Sequence, residues 1–105
     1  MLIAHISDLH CGREFQPSIF GQAAQEINSL DPDVVVATGD LTDSGLLSQY
    51  RDAKKRLDSL SCRKLVVTSG NHDYRSTGYL LFRKFFPSKK VVKLDGCIFT
   101  IVSTA

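Results

Sequence analysis

What this 105-residue chain has little of narrows it first. No apolar run approaches the roughly 18 residues that a membrane-spanning helix needs, so no membrane role is expected. The opening MLIAHISD lacks a basic n-region, and Asp8 arrives too early for a secretory leader. Cysteines number three, Cys11, Cys62 and Cys97, widely spaced. That is neither a disulfide framework nor a zinc knuckle, and it reads as reduced thiols in a cytoplasmic protein. Repeats, low-complexity tracts and linkers are also missing, and the length allows at most one domain.

Basic residues are scarce in one half. Residues 1–50 hold one base, Arg13, against seven acids, while residues 51–105 hold twelve bases against four acids. Such asymmetry can mark a nucleic-acid face. The bases of 51–64 are read first as the wet side of a helix and its following turn, with a nucleic-acid surface as the alternative. The apolar fraction of 43% and charged fraction of 23% are ordinary for a globular domain.

What is present alternates in period. Leu2–Ile6, Val34–Thr38 and Leu65–Thr68 are short runs rich in β-branched residues, and helix-period segments separate them, which predicts an α/β class. From Pro17 to Leu30, the residues Ile19, Phe20, Ala23, Ala24, Ile27 and Leu30 are expected to share one buried face, and Asp31-Pro32-Asp33 to end the helix. Leu46, Tyr50, Ala53, Leu57 and Leu60 step by four and three, as a second amphipathic helix does. A third helix is expected over about 77–86. A hairpin follows, Val91–Leu94 and 97–103 about the turn pair Asp95-Gly96. The chain then reaches Thr104 and Ala105 at the end of a strand, which is expected to leave an unfinished C-terminal edge open to self-association.

Each of the three buried strands runs into a loop of ligand-type residues: Asp8-Leu9-His10, Gly39-Asp40 and Gly70-Asn71-His72-Asp73. Open α/β sheets bind ligands beyond the carboxyl ends of their strands. If the strands are neighbours, Asp8, His10, Asp40, Asn71 and His72 converge. Asp8 and His10 sit two apart, so extended backbone would project both to one side. Asp40 could bridge two cations, and Asn71 offers a neutral oxygen to a second. Mixed oxygen and imidazole donors suit Mn, Fe, Zn, Ni or Co. Taken singly, each residue has a structural alternative: a turn cap for Asp8, Asx turns for Asp40 and Asn71, half-buried imidazoles for His10 and His72. Recurrence at three successive strand ends favours the metal reading. His5, inside the first strand, is read as structural. Cys11 follows His10 directly and is set aside as a ligand, because neighbours in such a loop point apart.

The series D-x-H at 8–10, G-D at 39–40 and G-N-H-D at 70–73 resembles the calcineurin-like metallophosphoesterase family. The resemblance implies that residues 1–105 are the N-terminal portion of a four-layer α/β/β/α sandwich. It implies two divalent metal ions, the first on Asp8, His10 and Asp40 and the second on Asp40 and Asn71. It further implies that His72 assists the leaving oxygen and that Asp43, in GDLTD, hydrogen-bonds His72. Ser44 stands where the protein Ser/Thr phosphatases of the family carry an Arg. No His follows His72, so the family's later His and G-H-x-H motif are missing and the second ion is expected to bind weakly. The expected activity is hydrolysis of a phosphomonoester or phosphodiester, with nucleic acid among the possible substrates. The alternative is a non-catalytic scaffold or partner-binding module derived from such an enzyme.

Overall fold

The computed structural model describes residues 1–87 and 90–102. Its elements in chain order are β1 (Ile3–Ile6), α1 (Pro17–Leu30), β2 (Val34–Thr38), α2 (Leu47–Asp58), β3 (Lys64–Thr68), a 3-10 turn (His72–Tyr74), α3 (Gly78–Phe85), β4 (Val91–Leu94) and β5 (Cys97–Thr100). β1, β2 and β3 form one parallel sheet in that order, with β2 central. The chain is a mixed α/β structure, as expected for the N-terminal part of a calcineurin-like fold.

The register sets all three strand ends on one edge of the sheet: Ile6 lies opposite Ala37, and Thr38 opposite Thr68. Central β2 buries Val34, Val35 and Ala37 completely. His5 donates to or accepts from Thr38 Oγ1 at 2.7 Å, tying β1 to β2, which agrees with a structural role for this imidazole.

α2 presents Tyr50, Ala53 and Leu57 to the core, and Leu60 just beyond it is buried too, whereas Leu46, expected to start the stripe, is the exposed residue that precedes the helix. α3 adds Phe82, and Phe86 follows it into the same cluster. The Phe85 ring lies 5.9 Å from that of Tyr50 at an interplanar angle of 14°. Burying each such large apolar side chain stabilises the fold by about 1.5–3 kcal/mol.

α1 departs from its expected face. Of its apolar residues only Ile27 is buried, and Phe20, Ala23 and Ala24 partly so, whereas Ile19 and Leu30 are 61% and 62% exposed. Ile19 instead lines an open hollow with Ile6, Leu9, Phe15 and Phe20, so the helix face toward β1 is left partly uncovered. Its stop is as expected: Asp31 adopts φ 47°, and its N–H closes onto the Ile27 carbonyl at 2.9 Å.

β4 and β5 pair antiparallel, Val91 opposite Thr100 and Leu94 opposite Cys97. Asp95 and Gly96 both take positive φ, 48° and 80°, as a two-residue type I′ turn requires. Arg63 ties the hairpin tip to the sheet through Asp95 at 2.7 Å. Of the expected 97–103 strand, Ser103 lies outside the described residues, as do Thr104 and Ala105 of the expected open edge. Of the four bases on α2, Lys54 pairs with Asp58 and Arg56 with Asp52, while Arg51 and Lys55 make no ion pair among the described residues.

Candidate metal centre

Strand pairing continues past the strands and carries the two loops together. Asp8 N–H donates to the Gly39 carbonyl at 3.1 Å, His10 N–H to Asp40 at 2.9 Å, and Cys11 N–H to Leu41 at 2.9 Å. Asp43 N–H returns to the Cys11 carbonyl at 3.1 Å. Leu9, between the two polar residues, is buried in the core and fixes which way they face.

Within this frame three backbones turn left-handed without glycine: Asp8 at φ 59°, His10 at φ 50° and Asp40 at φ 49°. Such conformations cost free energy and concentrate at functional sites. Asp8 and His10 therefore converge through left-handed turns, and not through the extended backbone expected from their spacing. Asp8, His10 and Asp40 each offer a donor atom, and these atoms lie within 4.8 Å of one another. His10 Nε2 is 3.5 Å from Asp8 Oδ1 and 3.8 Å from Asp40 Oδ2. Two carboxylates and an imidazole nitrogen at this spacing fit a borderline divalent cation.

The third loop closes over Asp40. His72 N–H donates to Asp40 Oδ1 at 3.1 Å. Gly70 is required by contact: a Cβ there would collide with the Asp40 carboxylate and backbone nitrogen. The His72 ring stands edge-on to that of His10, centroids 5.1 Å apart. Asn71 lies between these two anchored residues, exposed, and its side chain makes no hydrogen bond among the described residues.

Asp43 meets His72 differently from the expected carboxylate contact. His72 Nδ1 donates to the Asp43 carbonyl oxygen at 2.7 Å, which leaves Nε2 as the free nitrogen. The Asp43 carboxylate faces the other imidazole: Oδ1 lies 3.3 Å from His10 Nδ1, and Oδ2 accepts from Glu14 N–H at 2.9 Å. The 3.3 Å approach is poorly aligned, and neither His10 Nδ1 nor Asp43 Oδ1 has a hydrogen-bond partner although both are buried. The backbone explains the exchange, since pairing of Asp43 N–H with Cys11 swings its side chain toward the first loop.

A sequence profile described as calcineurin-like phosphoesterase matches residues 1–103. The chain belongs to the calcineurin-like phosphoesterase family. It is similar to a Danio rerio protein named "Transmembrane protein with metallophosphoesterase domain", 40% identical over 70 residues, which is 66% of this chain and 16% of the relative. It is also similar to a cAMP/cGMP dual specificity phosphodiesterase of Mycobacterium tuberculosis, 28% identical over 125 residues, covering 99% of this chain and 38% of that protein. The chain thus spans well under half the length of either relative. Among its described residues no helix is long and apolar enough to cross a membrane.

One residue that shapes this calcineurin-like centre was passed over as a mere neighbour of His72. Asp73 is fully buried, and its carboxylate accepts from Leu41 N–H (3.2 Å), Thr42 N–H (2.9 Å), Thr42 Oγ1 (2.9 Å) and Gly70 N–H (2.9 Å). Its own carbonyl accepts from Tyr50 Oη at 2.7 Å. Burial, and then the nearby Asp73 charge, push the Tyr50 phenol above its usual range. The only local sequence signal for this role is the three-residue spacing by which the Asp73 carboxylate reaches back to the Gly70 N–H. Cys11 is sealed in the core, and burial, followed by Asp52, pushes its thiol up to about 12.

Proposed function

We propose that this chain carries the first part of a metal-dependent phosphoester hydrolase centre, with phosphodiesters as its preferred class of substrate. The convergence of Asp8, His10 and Asp40 carries the reading, because the donor atoms come from two separate loops and meet within 4.8 Å. In this reading Asp8, His10 and Asp40 hold one divalent ion, manganese being a suitable one, and Asp40 with Asn71 contributes to a weaker second site. When bound, such ions supply Lewis acidity toward a water and toward phosphoryl oxygens. The diester preference is supported by the relative named as a cAMP/cGMP dual specificity phosphodiesterase.

The residues divide the remaining work. Asp40 presents Oδ2 toward His10 while its Oδ1 is steadied by the His72 N–H. The Asp43 carboxylate stands behind His10, where a carboxylate fixes the tautomer of a ligating imidazole. His72, held at Nδ1 by a backbone carbonyl, turns Nε2 outward; in the neutral ring that nitrogen is an acceptor, so it would serve the departing oxygen after taking up a proton, as imidazolium. Residues 1–105 are proposed to be one portion of the catalytic domain.

The test has two arms. Calorimetric titration with Mn²⁺ should show binding by the wild-type chain that Asp40→Ala abolishes. In the complete protein, His72→Ala should lower turnover of bis(p-nitrophenyl) phosphate about 100-fold or more while leaving metal content nearly intact. An Asp40→Ala variant with full metal and full activity would overturn the assignment.

A further inference from the structure

We propose that Arg75 forms, beside His72, an oxyanion subsite that takes the phosphoryl oxygens of the ester. The inference rests on the phosphoesterase reading and adds to it a residue that the metal pattern does not include. Arg75 Nη2 lies 3.5 Å from His72 Nε2, and Nη1 lies 3.3 Å from the Asp43 carbonyl oxygen. Because His72 Nδ1 donates to that same carbonyl at 2.7 Å, Nε2 is an acceptor and the guanidinium sits directly against the nitrogen assigned to the leaving oxygen.

The alternative is that Arg75 merely braces the Asp43 loop. Three observations speak against it. The Asp43 carbonyl takes its shorter bond from His72 at 2.7 Å, and the arginine contact at 3.3 Å is the weaker of the two. The side chain is exposed and, like Arg51 and Arg83, lies within ion-pair distance of no carboxylate among the described residues, so its charge is open to an anion. Of five N–H donors, two are engaged, both weakly. A planar guanidinium with spare parallel donors is the side chain best matched to phosphoryl oxygens.

The backbone beneath it is held in place. Gly78 N–H donates to the Arg75 carbonyl at 2.8 Å, and Arg75 N–H to His72 at 3.2 Å. Gly45, at φ +68°, leaves space that a Cβ would close, since it would lie 2.6 Å from the Arg75 carbonyl oxygen. The guanidinium is thus projected from a fixed point at the mouth of the centre, which lowers the ordering cost of gripping an anion.

Inorganic phosphate is the probe. It is titrated calorimetrically into wild type, Arg75→Ala and Arg75→Lys, each with saturating Mn²⁺ and again with chelator. Arg75→Ala should weaken phosphate binding about tenfold or more, Arg75→Lys should fall between, and Mn²⁺ affinity should stay within about twofold of wild type. In the complete protein the same change should raise KM more than it lowers kcat. Equal phosphate affinity of wild type and Arg75→Ala, or no phosphate binding by wild type, would overturn the subsite. Loss of Mn²⁺ binding in Arg75→Ala would assign the arginine to bracing instead. Failure of wild type to bind Mn²⁺ at all would strike the phosphoesterase reading, whereas a phosphate difference that persists in chelator would leave the Arg75 subsite standing.

Discussion

His72 Nδ1 hydrogen-bonds Asp43 through the backbone carbonyl, at 2.7 Å, and not through the carboxylate. Substituting the Asp43 side chain therefore leaves that bond in place and disturbs His10 instead. Asp43→Ala is expected to weaken Mn²⁺ binding about 10–100-fold, the usual effect of removing a carboxylate behind a ligand histidine. The imidazole ¹⁵N signals of His72 should stay near their wild-type positions. Large shifts at His72 with unchanged metal affinity would reverse the assignment.

Asp73→Ala is expected to cost at least about 3 kcal/mol of stability, because four donors lose their acceptor in the interior. Urea titration followed by circular dichroism measures it. A loss under about 1 kcal/mol would mean that water replaces the carboxylate freely.

Tyr50→Phe tests the same junction from the helix side. The ring and its stack on Phe85 are kept, and only the hydroxyl that donates to the Asp73 carbonyl is removed. A loss of about 1–3 kcal/mol is expected for an interior carbonyl left unpaired. An unchanged urea midpoint would show that bond to be dispensable.

Alkaline pH should destabilise the fold. The folded Cys11 thiol is raised from 9.0 to about 12, and Tyr50 is raised as well. The unfolded chain ionises these groups first, so their contribution is complete below pH 9.0 and is lost as pH climbs toward about 12. Urea midpoints measured from pH 8 to 11 should fall, and Cys11→Ala should flatten the slope. A flat profile for wild type would show both groups ionising freely in the folded state.

Much of this was legible in the sequence, and the rest had physical reasons to stay hidden. β2 and α1 begin and end where their apolar periodicity, Pro17 and the Asp31-Pro32 stop put them. The D-x-H, G-D and G-N-H-D blocks pointed to one sheet edge, and the parallel register supplies it. The left-handed turns at Asp8, His10 and Asp40 could not be read, because local propensity disfavours them and only pairing between loops imposes them. The exposure of Ile19 and Leu30 depends on what else packs against the helix, which its own periodicity does not contain. The partners of Asp43 and Asp73 lie about thirty positions away along the chain, beyond the reach of any spacing rule.

Asp73 has one hand on the loop after β2 and the other on the loop after β3, and it holds both from inside the core. In the proposed metal reading, cation affinity is expected to be coupled to folding, because the carboxylate that joins the two loops lies in the core. Saturating Mn²⁺ should therefore raise the melting temperature of the whole body, and a substitution that loosens the turn at His72–Tyr74 should shrink that gain.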